Sequence, residues 1–356
     1  MTNVNNAHTV FRVNSNVKKG AQPSVDSAIA VSMAPVANLG HLVDHPSADG
    51  LPHVLGVITY AQAHTVVSDV DFPILNVELQ PLLSESLAEV WYSAEAPEHG
   101  AAGYIRFSKN STLMFACLEL ECGPDLQKQI ESLYTEILSF IHQSGYTHLL
   151  RVWNHFPLIN EYSHATERYQ LFCIGRYNAF QAHYGTEFQL QLPAASAIGT
   201  RGSKISLHFI ASTKPQTYLE NPRQISAYRY PDQYGLCSPS FARATLLSMG
   251  NSDRLILSGT ASIVGHETLH SGDPEKQLEE TFFNIDALLH HEAVLARQKN
   301  PARFSNVKVY IRHPDDLPKL KSRLVEYFGV QTPILYLHGD ICRSDLLLEI
   351  EGICNL

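Results

Sequence analysis

Residues 203–211 read SKISLHFIA and residues 344–352 read SDLLLEIEG. Both are short, mostly apolar, strand-like runs, and laid over one another they place His208 where Glu349 stands. Working outward, each closes the same succession of elements. Before the first lie the helical pattern PDLQKQIESLYTEILSFIHQSG (124–145), the strand HLLRVWN (148–154), a second helix expected over roughly Asn160–Ala182, and the strand PAASAIG (193–199). Before the second lie strands expected around ISAYRYP (225–231) and RLILSGTASIVG (254–265). The helix KQLEETFFNIDALLHHEAVLARQ (276–298), the strand VKVYIRH (307–313), the helix DDLPKLKSRLVEYFG (315–329) and the strand PILYLHGDI (333–341) follow. In the first helix Leu126, Ile130, Leu133, Ile137, Leu138 and Ile141 recur at helical spacing up to a stop at Gly145.

A duplicated, β-rich, two-helix unit explains this order, and the fold class expected is α+β, each unit a mixed sheet covered by two helices. An α+β arrangement without duplication is the alternative. Upstream, HVLGVITY, ILNVEL, AEVWYS, GYIRFS and TLMFACLEL between His53 and Leu120 read as a meandering sheet. The expected division is an irregular arm over 1–50, with one strand near Ala28–Met33, a first unit over 51–215 and a second over 216–356.

Composition limits the functions open to the chain. Of 356 residues, 44% are apolar and 17% charged, as in ordinary globular proteins. A net charge of −9 with no basic run argues against a nucleic-acid or anionic-membrane partner. No apolar run reaches the roughly 20 residues needed to span a bilayer. Six scattered cysteines without a CxxC pair, and no secretory leader, are expected as reduced thiols of a cytoplasmic protein. His266 and His270 share an HxxxH spacing but sit between glycines in an expected loop, and His290 and His291 face apart on a helix, so no metal is expected. Phosphate-cradling loops and a GxSxG elbow are missing, and no cofactor is expected.

The segment 220–267 does not follow a helical or strand period. It contains ENPRQISAYRYPDQYG, SPSFARA and SGTASIVGHE, with Arg223, Arg229 and Arg243, Tyr228, Tyr230 and Tyr234, and the small residues Gly259 and Ala261. Guanidinium forks suit carboxylates, and small residues let backbone N–H groups approach a ligand. A planar anion would be matched by such a wall, although a Tyr/Arg-rich staple between domains has the same composition.

Those strings, with RVWNHFPLIN (151–160), ERYQLFCIGR (167–176), PAASAIG and CRSDLLLEIEG (342–352), resemble the chorismatases, in particular the hydroxybenzoate-forming branch. The resemblance runs from about Leu149 to the C-terminus. It implies two tandem units of the Rid/YjgF-like (chorismate-mutase-like) fold, and chorismate as substrate. The arginine of Rid-type imine deaminases, expected about fifteen positions before the last-strand carboxylate, is absent near Ile334. The substrate has two carboxylates and an enolpyruvyl ether, which breaks once its methylene carbon is protonated by an acid of raised pKa.

Glu349 and Glu351 lie on one face of the last strand, and either could be that acid; the resemblance assigns the role to Glu349 and leaves Glu351 in support. Cys342 stands where the resemblance places a residue separating subtypes, and a cysteine there implies the hydroxybenzoate branch. Arg229, Arg243 and Arg312 are the expected carboxylate anchors, with Tyr228 and Tyr230 completing a clamp and Gly259 and Ala261 offering backbone N–H groups. Arg151 could be an anchor or an ion-pair partner. The expected activity releases pyruvate and forms 3-hydroxybenzoate, or a mixture with 4-hydroxybenzoate. The alternatives are hydrolysis to a dihydroxycyclohexadiene carboxylate and a non-catalytic Rid-like aromatic-acid binder. A duplicated chain could be a monomer or a homo-oligomer such as a trimer.

Overall fold

The computed structural model describes residues 29–35, 50–60, 70–83, 87–249 and 252–356. Five helices are named here in chain order: α1 Leu126–Gln143, α2 Arg168–Tyr184, α3 Pro274–Leu289, α4 Glu292–Leu295 and α5 Leu317–Phe328. Helix α1 starts where the Asp125 side chain accepts from the Lys128 N–H, and its expected apolar stripe is buried. Asp273 caps α3 in the same way, with Pro274 in the first turn.

Two seven-stranded sheets carry the architecture. The first runs Glu98–Ala102, Ile105–Lys109, Leu113–Glu121, Lys204–Ser212, His148–Pro157, Ala194–Thr200, Asp340–Ile341. The second runs Thr217–Leu219, Ala244–Met249, Ser252–Leu257, Leu348–Asn355, Arg303–Ile311, Ile334–His338, Gln80–Pro81. Read in this direction the two sheets have one topology. In each, the third, fourth and fifth strands are antiparallel neighbours and the fifth pairs parallel with the sixth. The seventh strand of each is a two-residue piece from elsewhere in the chain: 340–341 joins the first sheet and 80–81 the second. The chain is thus α+β, with two tandem units of one topology, as the expected duplication requires. Register supports the alignment of the two final strands, since His208 pairs with Trp153 as Glu349 pairs with Tyr310.

Helices α1 and α2 cover the outer face of the first sheet, where Leu133, Ile137, Phe172 and Phe180 pack on Val152, Phe156 and Phe209. Helices α3 and α5 cover the second, with Leu278, Phe282, Leu320 and Leu324 on Val307, Val309 and Ile350. Each such side chain removed from water contributes on the order of 1.5–3 kcal/mol. None of the described helices is long and apolar enough to cross a membrane.

The structure corrects three expectations. Residues 51–93 do not open the first unit. Strands Ile29–Pro35, Leu87–Ser93, His53–Tyr60 and Ile74–Val77 form a separate four-stranded sheet, and the first unit begins at Glu98. Its order, two antiparallel pairings and then a parallel one, repeats strands three to six of the larger sheets. Trp91, Leu55 and Ile58 of this sheet join Trp153, Ile210, Tyr310 and Ile353 in one interior cluster, so three sheets face a common centre. The expected arm contains the strand Ile29–Pro35; residues 1–28 and 36–49 lie outside the described residues. Helix α2 starts at Arg168 rather than near Asn160, because Tyr162–Ser163 and Thr166–Glu167 pair as a hairpin. The string ISAYRYP is not a strand: it holds a single 3₁₀ turn, Ala227–Arg229.

Candidate active site

Where the two units meet, a cavity of about 250 Å³ opens between α2, the strand Ala194–Thr200, the loops around 230–243, 259–263 and 342–346, and the last strand. Strand alternation turns Glu349 and Glu351 to the same inner face, but their surroundings differ. Glu349 lines the cavity, is 5% exposed, and its Oε1 finds no hydrogen-bond partner among the described residues. Burial, followed by the neighbouring Glu351, pushes its pKa up to about 8 against the weaker pull of Arg151 and Arg243. Near neutral pH it is an acid with its proton in place.

Glu351 is deeper, and its carboxylate is held on all sides. Arg151 Nη2 and Lys308 Nζ each lie 2.7 Å away, Trp153 Nε1 and the Tyr310 hydroxyl donate at 2.9 Å, and the Ser196 hydroxyl also donates. Burial alone would raise its pKa, but Lys308 and Arg151 outweigh it and hold Glu351 at about 2. Two identical side chains, two residues apart, are thereby a neutral acid and a fixed anion.

The small residues at 259–261 bring backbone up to Glu349. Thr260 and Ile350 exchange two 2.8 Å backbone hydrogen bonds, which pins this loop to the last strand. A Cβ on Gly259 would lie 1.8 Å from Glu349 Oε1 and 3.0 Å from Ser196 Oγ, so only glycine leaves room for the carboxyl. Ala261 also lines the cavity.

Three guanidinium groups line the same space. Arg243 donates to the Tyr230 hydroxyl at 2.7 Å and the Ile225 carbonyl at 3.1 Å, and its Nε is unpartnered among the described residues. Arg176 is 3% exposed, lies over the rings of Tyr134, Phe172 and Phe180, and has both Nε and Nη2 unpartnered among the described residues. Its place on α2 follows from Gly175, whose missing Cβ lets α2 lie against the Gln127 carbonyl at the start of α1. Arg343 stacks 3.9 Å above the Tyr234 ring and donates to the His266 carbonyl. A buried donor without a partner is costly, and a bound anion would satisfy it.

Of the residues singled out from sequence, the structure gathers Glu349, Cys342, Tyr230, Arg243, Gly259 and Ala261 around one cavity. It places three elsewhere. Arg229 is exposed, with its guanidinium 5.6 Å from the Tyr228 ring, and Tyr228 packs against the core beneath α1 and α2. Arg312 makes five hydrogen bonds, to the carbonyls of Ile341, Arg343 and Leu346 and to Asn160 and Asp340, so it holds the 341–346 loop rather than a ligand. Arg151, left open between two roles, is the ion-pair partner of Glu351. Cys342 faces the cavity with its thiol pushed up to about 12 by burial and by Glu349. Arg176, Arg343 and Ser196 were not singled out, although each lies inside a string that carries the resemblance. No cluster of three or more His, Cys, Asp or Glu suited to a metal occurs among the described residues.

A buried carboxyl beneath an arginine-lined, aromatic-walled cavity is an arrangement that could present a proton to an anionic small molecule. Residues 89–211 match the model of the chorismatase FkbO/Hyg5-like N-terminal family. The chain is 34% identical to a 3-hydroxybenzoate synthase of Streptomyces hygroscopicus, over 85% of this chain and 91% of that protein. It is 35% identical to a chorismatase of Streptomyces rapamycinicus, over 86% and 93% respectively. A chorismatase crystal structure superposes with a TM-score of 0.82 at 30% identity, covering 92% of this chain and 98% of that one. The chain belongs to the FkbO/Hyg5-like chorismatase family.

Proposed function

We propose that the protein converts chorismate to 3-hydroxybenzoate and pyruvate, with Glu349 as the proton donor. The observation that carries this reading is the buried Glu349 at the cavity wall, its Oε1 without a hydrogen-bond partner among the described residues and its pKa pushed up by burial, with Arg176, Arg243 and Arg343 around it. The relatives named 3-hydroxybenzoate synthase and chorismatase support the substrate.

In the proposed reaction the Glu349 proton goes to the methylene carbon of the enolpyruvyl ether, which becomes the methyl group of pyruvate and leaves an oxocarbenium-like centre. The bond between ring carbon and ether oxygen then breaks, its electron pair leaving with pyruvate. The adjacent ring hydroxyl closes on that carbon and returns a proton to the carboxylate. The arene-oxide-like intermediate aromatises, and no water is consumed. Arg176, Arg243 and Arg343 would hold the two carboxylates. Cys342, a neutral thiol against the cavity, supports the hydroxybenzoate-forming course as a small wall group rather than a nucleophile.

Incubation with chorismate in ¹⁸O-labelled water, with identification of the products, tests this reading. It predicts pyruvate and unlabelled 3-hydroxybenzoate in equal amounts. A dihydroxycyclohexadiene carboxylate, with or without label, would point to hydrolysis instead, and chorismate binding without pyruvate release to a non-catalytic binder.

A further inference from the structure

We propose that Glu89, on the four-stranded sheet outside both repeated units, is a positioning residue for Glu349: by occupying Lys308 it keeps the buried charges matched and the reacting carboxyl neutral. The inference rests on Glu349 being the proton donor. Glu89 is fully buried and does not line the cavity. Its Oε1 accepts from Trp91 Nε1 at 2.7 Å, and its Oε2 lies 2.9 Å from Lys308 Nζ. Lys308 Nζ also lies 2.7 Å from Glu351 Oε1 and donates to the Tyr60 hydroxyl at 3.1 Å. Arg151, also fully buried, closes the row on the far side of Glu351.

Two cations, Lys308 and Arg151, therefore face two anions, Glu89 and Glu351, and the buried row is neutral as built. A charge on Glu349 would set a third anion beside a row that has two cations, which a low-dielectric surround resists. The neighbours of Glu349 agree with this count. Glu351 and Arg151 belong to the row, Tyr310 stands opposite in register and shares its hydroxyl with Glu351, and Cys342 is neutral. Arg176, Arg243 and Arg343 face the cavity, where the substrate carboxylates would match them. On the inner side Tyr60, His155 and His208 complete the ring, each held uncharged by burial.

Replacing Glu89 by Gln keeps the shape and an acceptor for Trp91 but leaves one cation in surplus. That surplus favours ionised Glu349, so the alkaline limb of kcat should move about one pH unit lower, with KM for chorismate unchanged. A buried residue of purely structural worth would lower stability without moving the limb. Glu89→Asp should return the limb to its wild-type position, as should Glu89→Gln combined with Lys308→Met, which removes the surplus. If Glu89→Gln alone does not fold, Lys308→Met carries the test: it leaves one anion of the row in surplus, so a limb displaced to higher pH supports the proposal, and an unmoved limb overturns it. A folded Glu89→Gln enzyme with an unmoved limb also overturns it. Wild-type enzyme with no alkaline limb at all would instead overturn the assignment of Glu349.

Discussion

Glu349 and Glu351 share one face of one strand two residues apart, yet Glu351 has partners on every side while Glu349 Oε1 has none among the described residues. The site's chemistry follows from that asymmetry, because only an unpaired buried carboxyl keeps a proton to give near neutral pH. The ionised neighbour reinforces this from a distance the strand itself sets.

The pH dependence has a definite sign. As the proposed proton donor Glu349 would act only when protonated, and with its pKa raised to about 8, kcat should be flat below about pH 7 and fall above about pH 8. A limiting fall of about tenfold per pH unit is expected. Steady-state pyruvate release between pH 6 and 10 checks it.

Stability should depend on pH through both carboxyls. Glu351 is lowered from 4.5 to about 2, so its contribution is present above about pH 4.5 and is lost as pH falls toward 2. Glu349 is raised from 4.5 to about 8, so its contribution is present at low pH and is lost as pH rises through 8. Thermal melts across pH 2 to 9 should peak near pH 4.5 and fall on both sides, levelling above about pH 8. Glu351→Gln, which abandons two buried cations, should melt lower and lose much of the acid-side dependence.

Gly259→Ala should fold and fail to turn over. Its methyl would claim the space of Glu349 Oε1, and displacing a reacting group by about 1 Å can cost on the order of 100-fold in rate. Measuring kcat beside a melting curve separates this from unfolding.

The arginines divide into two kinds. Arg176→Gln and Arg243→Gln should raise KM for chorismate, in line with roughly 2–5 kcal/mol for an unpaired buried charge partner. Arg312→Ala frees three carbonyls of the 341–346 loop and should lower the melting temperature, losing about 3–5 kcal/mol if the Arg312–Asp340 pair behaves as a buried one. Titration calorimetry and thermal melts distinguish the two patterns.

Much of this was legible in the chain. Helical spacing from Leu126 to Ile141 and the overlay of SKISLHFIA on SDLLLEIEG expose the duplication, because amphipathic period and strand alternation are local properties. The four-stranded sheet was not separable: HVLGVITY and AEVWYS read as strands, but which sheet a strand joins depends on pairing partners far along the chain. The hairpin at Tyr162–Glu167 was read as helix because two-residue strands leave no period. Arg312 and Arg176 show the same limit for the site. One ends a strand beside Glu349 and is consumed by carbonyls, while the other sits in an aromatic run of α2 that reads as packing and is left with unpartnered donors. Sequence ranks arginines by neighbourhood, whereas hydrogen bonds decide which have charge to spare.

The most direct test of the central claim is Glu349→Gln, assayed for pyruvate release from chorismate and, separately, for chorismate binding. The account predicts turnover lost, with binding near that of the wild-type enzyme, because the amide keeps the shape and has no acidic proton to give. Near wild-type pyruvate release by that variant would contradict it.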